Sequence, residues 1–120
     1  MVVDDEPDVC MALRFVLEDK GFNVDTFVDP AMALENFKIM LYDLVILDIY
    51  MSKMNGFELY NKMKTIDNKI KVCFLTALTD LHNYDVFKKD VYPKEGERYF
   101  IQKPIGNDEM LEGINRAIMS

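Results

Sequence analysis

The sequence predicts an α/β three-layer sandwich built around a parallel β-sheet. Two observations carry this reading. Short apolar runs alternate with stretches of helical period about five times along the 120 residues, which is the pattern of successive strand–helix units. Two of the runs, Leu44-Val45-Ile46-Leu47 and Val72-Cys73-Phe74-Leu75, are apolar at every position, as strands are when helices cover both faces of their sheet.

The elements follow in order. Val2-Val3 is a minimal first strand, cut off by an acidic loop. Val9, Leu13 and Val16 recur at helical spacing, and Gly21 stands where a helix C-terminus needs it. Residues 22–27 read as a second strand. Asp29-Pro30 pairs an N-cap with a proline at the first helical position, opening a helix with Leu34, Phe37 and Leu41 inward. The first of the two buried runs ends in Asp48, Leu59, Met63 and Ile66 mark the next helix, and the second buried run ends at Thr76. After a less regular stretch, Tyr99-Phe100-Ile101 is a short fifth strand. Asn107 then caps a last helix with Asp108 and Glu109 in its first turn and Leu111, Ile114 and Ile118 inward.

Length and composition fit one domain over residues 1–120, with half of the chain hydrophobic and 29% charged. A formal net charge of −7 repels polyanions, so direct binding of nucleic acid by this domain is not expected. No apolar run is long enough to cross a bilayer, and the first residues lack the basic start and apolar stretch of a signal peptide. Cys10 and Cys73 sit in apolar segments without ligand spacing, and read as reduced core residues of a cytoplasmic protein. His82 stands in a polar stretch with no metal partners in view, and the nine methionines read as core filler with some surface exposure.

In a parallel α/β sheet, functional groups gather beyond the carboxyl ends of the strands. There this sequence delivers Asp4-Asp5 after the first strand, Asp48 after the third, Thr76 after the fourth and Lys103-Pro104 after the fifth. Each has an ordinary reading alone. Asp4, Asp5, Glu6 and Asp8 fit the acidic first turn of a helix, Asp48 a loop, Thr76 a local backbone bond, and Lys103 a strand leaving for solvent. Together they make a different case. Three carboxylates at one edge repel one another, and are tolerated where a divalent cation binds. A few oxygens and several waters is how Mg²⁺ is held. A hydroxyl and an ammonium can pair with phosphoryl oxygens, so the set suits neutralising charge on a transferring phosphoryl group.

The blocks Val2-Val3-Asp4-Asp5-Glu6-Pro7-Asp8, Asp48-Ile49-Tyr50-Met51 with Met54-Asn55-Gly56, Leu75-Thr76-Ala77, and Lys103-Pro104 occur in an order that resembles the receiver domains of two-component response regulators. The match spans almost the whole chain, and the ordered set is far more specific than any one block. The resemblance implies a flavodoxin-like fold with a five-stranded parallel sheet in the order 2-1-3-4-5. It implies that Asp48 accepts a phosphoryl group from a histidine kinase or phosphotransfer protein. Mg²⁺ would be bound directly by Asp5 and Asp48, through water by Asp4, and by the backbone carbonyl of Tyr50. Thr76 would shift to bond the phosphoryl group, Lys103 would form an ion pair with it, and Phe100 would be the aromatic switch that turns inward. The Lys103-Pro104 bond is expected to be cis. The domain would be a switch acting on an output domain or protein, assisting its own phosphorylation and dephosphorylation, with a homodimer as a possible form. The chain reads either as a stand-alone regulator or as the receiver of a longer protein.

The sequence departs from the family pattern in three places. Ser52 stands where proline commonly occurs, so a more mobile loop is expected. Thr76 and Lys103 are 27 residues apart, more than usual, and the excess lies in residues 80–98, where a shortened or displaced helix and a non-standard partner surface are expected. The positions that border attacking water in the family hold Tyr50 and Leu78, bulky and neither carboxylate nor amide, which predicts slow hydrolysis of the phosphorylated form. Rival readings are weaker. A pseudo-receiver, binding partners without phosphorylation, predicts missing acidic or lysine residues, and Asp4, Asp5, Asp48 and Lys103 are all present, as is Thr76. A flavodoxin-like cofactor binder would want a hydroxyl- and glycine-rich first loop. An aspartyl phosphatase usually carries its nucleophile after the first strand, with room for a substrate cap.

Overall fold

A computed structural model of the protein describes residues 1–76, 100–103 and 107–119. The run 44–47, with Asp48, forms the five-residue strand β3 (Leu44–Asp48), buried throughout. Around it lie β1 (Val2–Val3), β2 (Thr26–Phe27), β4 (Lys71–Thr76) and β5 (Phe100–Gln102). They form one five-stranded sheet in the order β2-β1-β3-β4-β5. Every pairing is parallel, with Val3 opposite Leu47, Asp48 opposite Leu75, and Thr76 opposite Gln102. Between and after the strands run α1 (Pro7–Asp19), α2 (Pro30–Asn36), α3 (Gly56–Ile66) and α4 (Asn107–Met119).

Alternation along each strand splits the core into two layers. Val3, Val45, Leu47, Val72 and Phe74 pack with Phe57, Leu59, Tyr60 and Met63 of α3 and Ala33 of α2. Val2, Leu44, Ile46, Cys73, Leu75 and Ile101 pack with Cys10, Leu13 and Leu17 of α1 and Met110, Ile114 and Ala117 of α4. Phe74 is the keystone of the first layer, meeting the rings of Phe57 and Tyr60 edge-on at 4.7 and 5.9 Å. The expected three-layer architecture and strand order are both present. No helix among the described residues is long and apolar enough to cross a membrane.

Several boundaries differ from expectation for identifiable reasons. The second strand covers only Thr26–Phe27, not residues 22–27. The N–H groups of Gly21 and Phe22 return to the carbonyls of Glu18 and Leu17, so the chain is still closing α1, with Gly21 at φ +91°. Helix α2 stops at Asn36, because Phe37 is extended (φ −77°, ψ 131°). Phe37 is buried as expected, but Leu41, expected inward, is 56% exposed since the helical period no longer applies. On α1 the buried stripe is Cys10, Leu13 and Leu17, with Val9 and Val16 at its margins. Ile66, the last residue of α3, is partly exposed. Asn107 is the first helical residue of α4 rather than the residue before it. The unusual segment 80–98, Tyr99, Leu78, His82 and Pro104 lie outside the described residues.

Helix α3 starts with a capping box that the sequence reading did not use. Asn55 Oδ1 accepts from the Glu58 N–H at 2.8 Å, and Glu58 Oε1 accepts from the Asn55 N–H at 3.4 Å. Replacing Asn55 with alanine removes the stronger bond, and urea unfolding should show a loss of about 1 kcal/mol.

Candidate functional site

The parallel register brings the ends of β1, β3, β4 and β5 to one edge. The Asp4 N–H donates to the Phe27 carbonyl at 3.1 Å, continuing the β1–β2 ladder by one residue. This places the Asp4 side chain in the interior, fully buried, while Asp5 faces solvent. Asp48 ends β3 and is 4% exposed; Thr76 ends β4 and is buried to the same degree. Beyond β5, the Lys103 N–H donates to the Thr76 carbonyl at 2.7 Å, fixing the backbone of Lys103 beside Thr76.

Charge binds these ends together. Lys103 Nζ lies 2.8 Å from Asp4 Oδ2, 3.5 Å from Asp48 Oδ1 and 3.7 Å from Glu6 Oε1. The contact with Asp4 is a close ion pair that places the ammonium directly on the buried Oδ2. Asp4 Oδ1 accepts from the Glu6 N–H at 2.9 Å. The Cys10 thiol donates to the Asp4 carbonyl at 3.3 Å. Burial pushes the Asp48 carboxyl up to about 7; Asp4 pushes the same way, Lys103 opposes it, and Asp5 adds a smaller upward push. Burial lowers the Lys103 ammonium, but the carboxylates of Asp4, Asp48 and Glu6 outweigh it, and its pKa is raised.

The expected residues are therefore distributed as follows. Asp4, Asp48 and Lys103 meet directly, with Thr76 adjoining through the backbone. Asp5 is at the solvent side, within electrostatic reach of Asp48. Tyr50 is half-buried, its side chain packed against the α2–α3 layer of the core. The backbone of Phe100 pairs with Phe74 in the sheet, and its side chain lies outside the description. Glu6 was read only as a first-turn acid, yet it faces Lys103. It also joins Asp4 and Asp5 in a trio whose carboxylate oxygens lie within 4.8 Å of one another. Its position directly after Asp4-Asp5 was the signal.

The backbone holding Asp48 is itself confined. The Ile49 N–H donates to the Leu75 carbonyl at 3.1 Å, and the Gly56 N–H donates to the Ile49 carbonyl at 2.9 Å. A Cβ on Gly56 would lie 2.4 Å from the Asp48 carbonyl oxygen and 3.2 Å from the Cα of Ile49. Only glycine lets α3 start this close to the strand end.

Residues 1–115 match the family model of the response regulator receiver domain, and the chain belongs to that family. Members of the family are signalling switches of two-component systems. The chain is 33% identical over 114 residues to the transcriptional regulatory protein DltR of Streptococcus agalactiae, covering 95% of this chain and 49% of DltR. Among solved structures it resembles a response regulator receiver domain protein from Clostridium thermocellum (30% identity, TM-score 0.78, covering 98% of this chain and 91% of that one). It also resembles the response regulator TrrA from Thermotoga maritima, solved in complex with Mg²⁺–BeF (29% identity, TM-score 0.76, covering 97% and 95%). The chain spans about half the length of DltR and of the similarly matched RprY of Bacteroides fragilis.

Two outcomes follow from this geometry. Gly56→Ala should cost about 1–3 kcal/mol in urea unfolding, because backbone rather than a flexible side chain must yield. The second concerns pH. With its carboxyl raised from 3.8 to about 7, Asp48 keeps a proton in the folded chain that the unfolded chain releases. Its contribution is therefore fully present below about pH 4 and is lost as pH rises through about 7. In metal-free buffer, Asp48→Asn should be more stable than the parent at about pH 8, the gap closing toward about pH 4. A gap that is independent of pH would sink this account.

Proposed function

We propose that this domain is a phosphoacceptor receiver that takes a phosphoryl group onto Asp48 from a histidine kinase or phosphotransfer protein. Its change of shape would then control an output domain or protein. The observation that supports this best is the meeting of Asp4, Asp48 and Lys103 at the strand ends, a buried carboxylate nucleophile flanked by a second carboxylate and an ammonium. The domain is proposed to extend over residues 1–120 and to work in the cytoplasm, in keeping with two buried, unbridged cysteines.

The donor set fits Mg²⁺: its side-chain members are hard carboxylate oxygens, and those of Asp4, Asp5 and Glu6 lie within 4.8 Å of one another. The residues that would hold the ion are Asp5, Asp48 and the Tyr50 carbonyl directly, and Asp4 through water. When bound, the ion neutralises charge on the phosphoryl oxygens. An Asp48 carboxylate oxygen attacks phosphorus as the bond from phosphorus to the donor imidazole nitrogen breaks. The electron pair stays on that nitrogen, which takes up a proton. Lys103 turns toward a phosphoryl oxygen, and the Thr76 hydroxyl donates to another. Phe100 follows inward as the element that reports the event. Because Asp48 is pushed up to about 7 by burial, the cationic groups also serve to keep it ionised near neutral pH.

The direct test is intact mass after incubation with acetyl phosphate. A gain of one phosphoryl group that needs Mg²⁺ and is lost in Asp48→Asn is the expected result; no gain under any condition would leave a domain that binds partners without phosphorylation. The bulk of Tyr50 and Leu78 gives a second expectation, a long-lived phosphorylated form. Tyr50→Asn combined with Leu78→Glu should speed loss of phosphate several-fold by giving water a polar seat, measured by the same mass assay after removal of the donor. An unchanged rate would show that these side chains do not set the lifetime.

A further inference from the structure

Lys103 is shared by three carboxylates, and they are not equivalent. Asp4 and Asp48 are buried, at 2.8 and 3.5 Å from Nζ, whereas Glu6 is 3.7 Å away with 66% of its side chain exposed. Asp4 and Asp48 are also the two buried carboxylates proposed to face the divalent cation, Asp48 directly and Asp4 through water. A cation placed there and an ammonium at 2.8 Å compete for the same oxygens, and like charges at such separations repel strongly where water is scarce. The ammonium must then move outward, and a desolvated ammonium without a counter-ion is costly. Among the described residues, the carboxylates within reach of Nζ are Asp4, Asp48 and Glu6, so the outward carboxylate is Glu6. Its place is set by the chain: the Glu6 N–H is tied to Asp4 Oδ1 at 2.9 Å, and its carbonyl receives the N–H groups of Val9 and Cys10 at the start of α1.

We infer that Glu6 is a positioning residue that receives the Lys103 ammonium when a divalent cation binds, keeping it beside the site for the incoming phosphoryl group. This inference rests on the proposed Mg²⁺ site, and gives Glu6 a task beyond adding negative charge. Glu6 acts through Lys103, so its effect on the cation should disappear when Lys103 is absent.

A double-mutant cycle on Mg²⁺ affinity, read by amide NMR titration at low salt, tests this. Glu6→Gln should weaken Mg²⁺ binding by roughly three- to ten-fold, the scale of one exposed charge contact. Asp8→Asn, which removes an exposed carboxylate of the same first turn, should weaken it less. In a Lys103→Met background the Glu6→Gln penalty should largely vanish. A penalty as large in that background as in the parent means that Glu6 acts on the ion itself, and overturns the inference. Lys103→Met leaves buried Asp4 without its cation. If that variant does not fold, the Lys103 ammonium resonance decides: it should stay protected from solvent exchange on adding Mg²⁺ to the parent and lose protection in Glu6→Gln, and equal protection in both overturns the inference. No Mg²⁺ binding by the parent protein would instead refute the metal site on which the inference stands.

Discussion

A carboxylate with no solvent exposure needs a cation, and for Asp4 the cation within contact among the described residues is Lys103, from a distant part of the chain. Removing a charge from water costs several kcal/mol unless a partner and further hydrogen bonds compensate it. Much of the architecture can be understood as meeting that requirement. Lys103 reaches Asp4 because β5 pairs with β4 in a register that sets Thr76 beside Gln102, and because the Lys103 N–H then closes on the Thr76 carbonyl. β4 is in turn aligned with β3, and β3 with β1. A slip of one residue in any of these pairings would turn every side chain of the moved strand to the opposite layer. The packing of Val45, Leu47 and Phe74 against α3 therefore also protects the charge pairing at the edge.

The groups at that edge are held by unequal means. Asp48 is fixed through its backbone: Ile49 is bonded to β4, Gly56 is bonded to Ile49, and α3 starts so close that a Cβ on Gly56 would collide with the Asp48 carbonyl. The capping box of Asn55 and Glu58 secures the helix at the same point. The Lys103 ammonium is held at the end of a long side chain, by three carboxylates at graded distances. A carboxylate fixed by its backbone beside an ammonium on a long side chain suits the proposed step, in which charge would appear and have to be met. Fixed geometry lowers the cost of reaching the reactive arrangement, and a relocatable ammonium can follow the new negative charge.

What could be read from sequence depended on whether the signal was local. The runs at 44–47 and 72–75 declared buried strands because their apolar character is uninterrupted, and the residues ending them were placed correctly at one edge. The extent of β2 was misjudged because Phe22 and Val24 are apolar enough for a strand, while the bonds that close α1 at Gly21 take the backbone elsewhere. Leu41 was placed inside because the apolar period continues past the point where Phe37 leaves helical geometry. Glu6 was hidden for the opposite reason. An acid in the first turn of a helix already has a sufficient local explanation, and its approach to Lys103 depends on pairing across the whole sheet. Gly56 is similar: nothing in Met54-Asn55-Gly56 says that the Asp48 carbonyl will lie where a Cβ would be.

The charge balance of the edge implies an order of events. Among the described residues, Asp4, Asp5, Glu6 and Asp48 set four carboxyl groups against the ammonium of Lys103. With Asp48 ionised the site is strongly negative, on a chain whose formal net charge is already −7. A phosphoryl group is itself anionic and meets repulsion there that one lysine cannot cancel, whereas a divalent cation is drawn in by the same field. On the proposed function, ionising Asp48 and admitting a phosphoryl group would both require added positive charge, and one divalent cation would serve both. The acidity of this edge would then act as a filter, because an anionic group is repelled unless the charge that stabilises it is already in place.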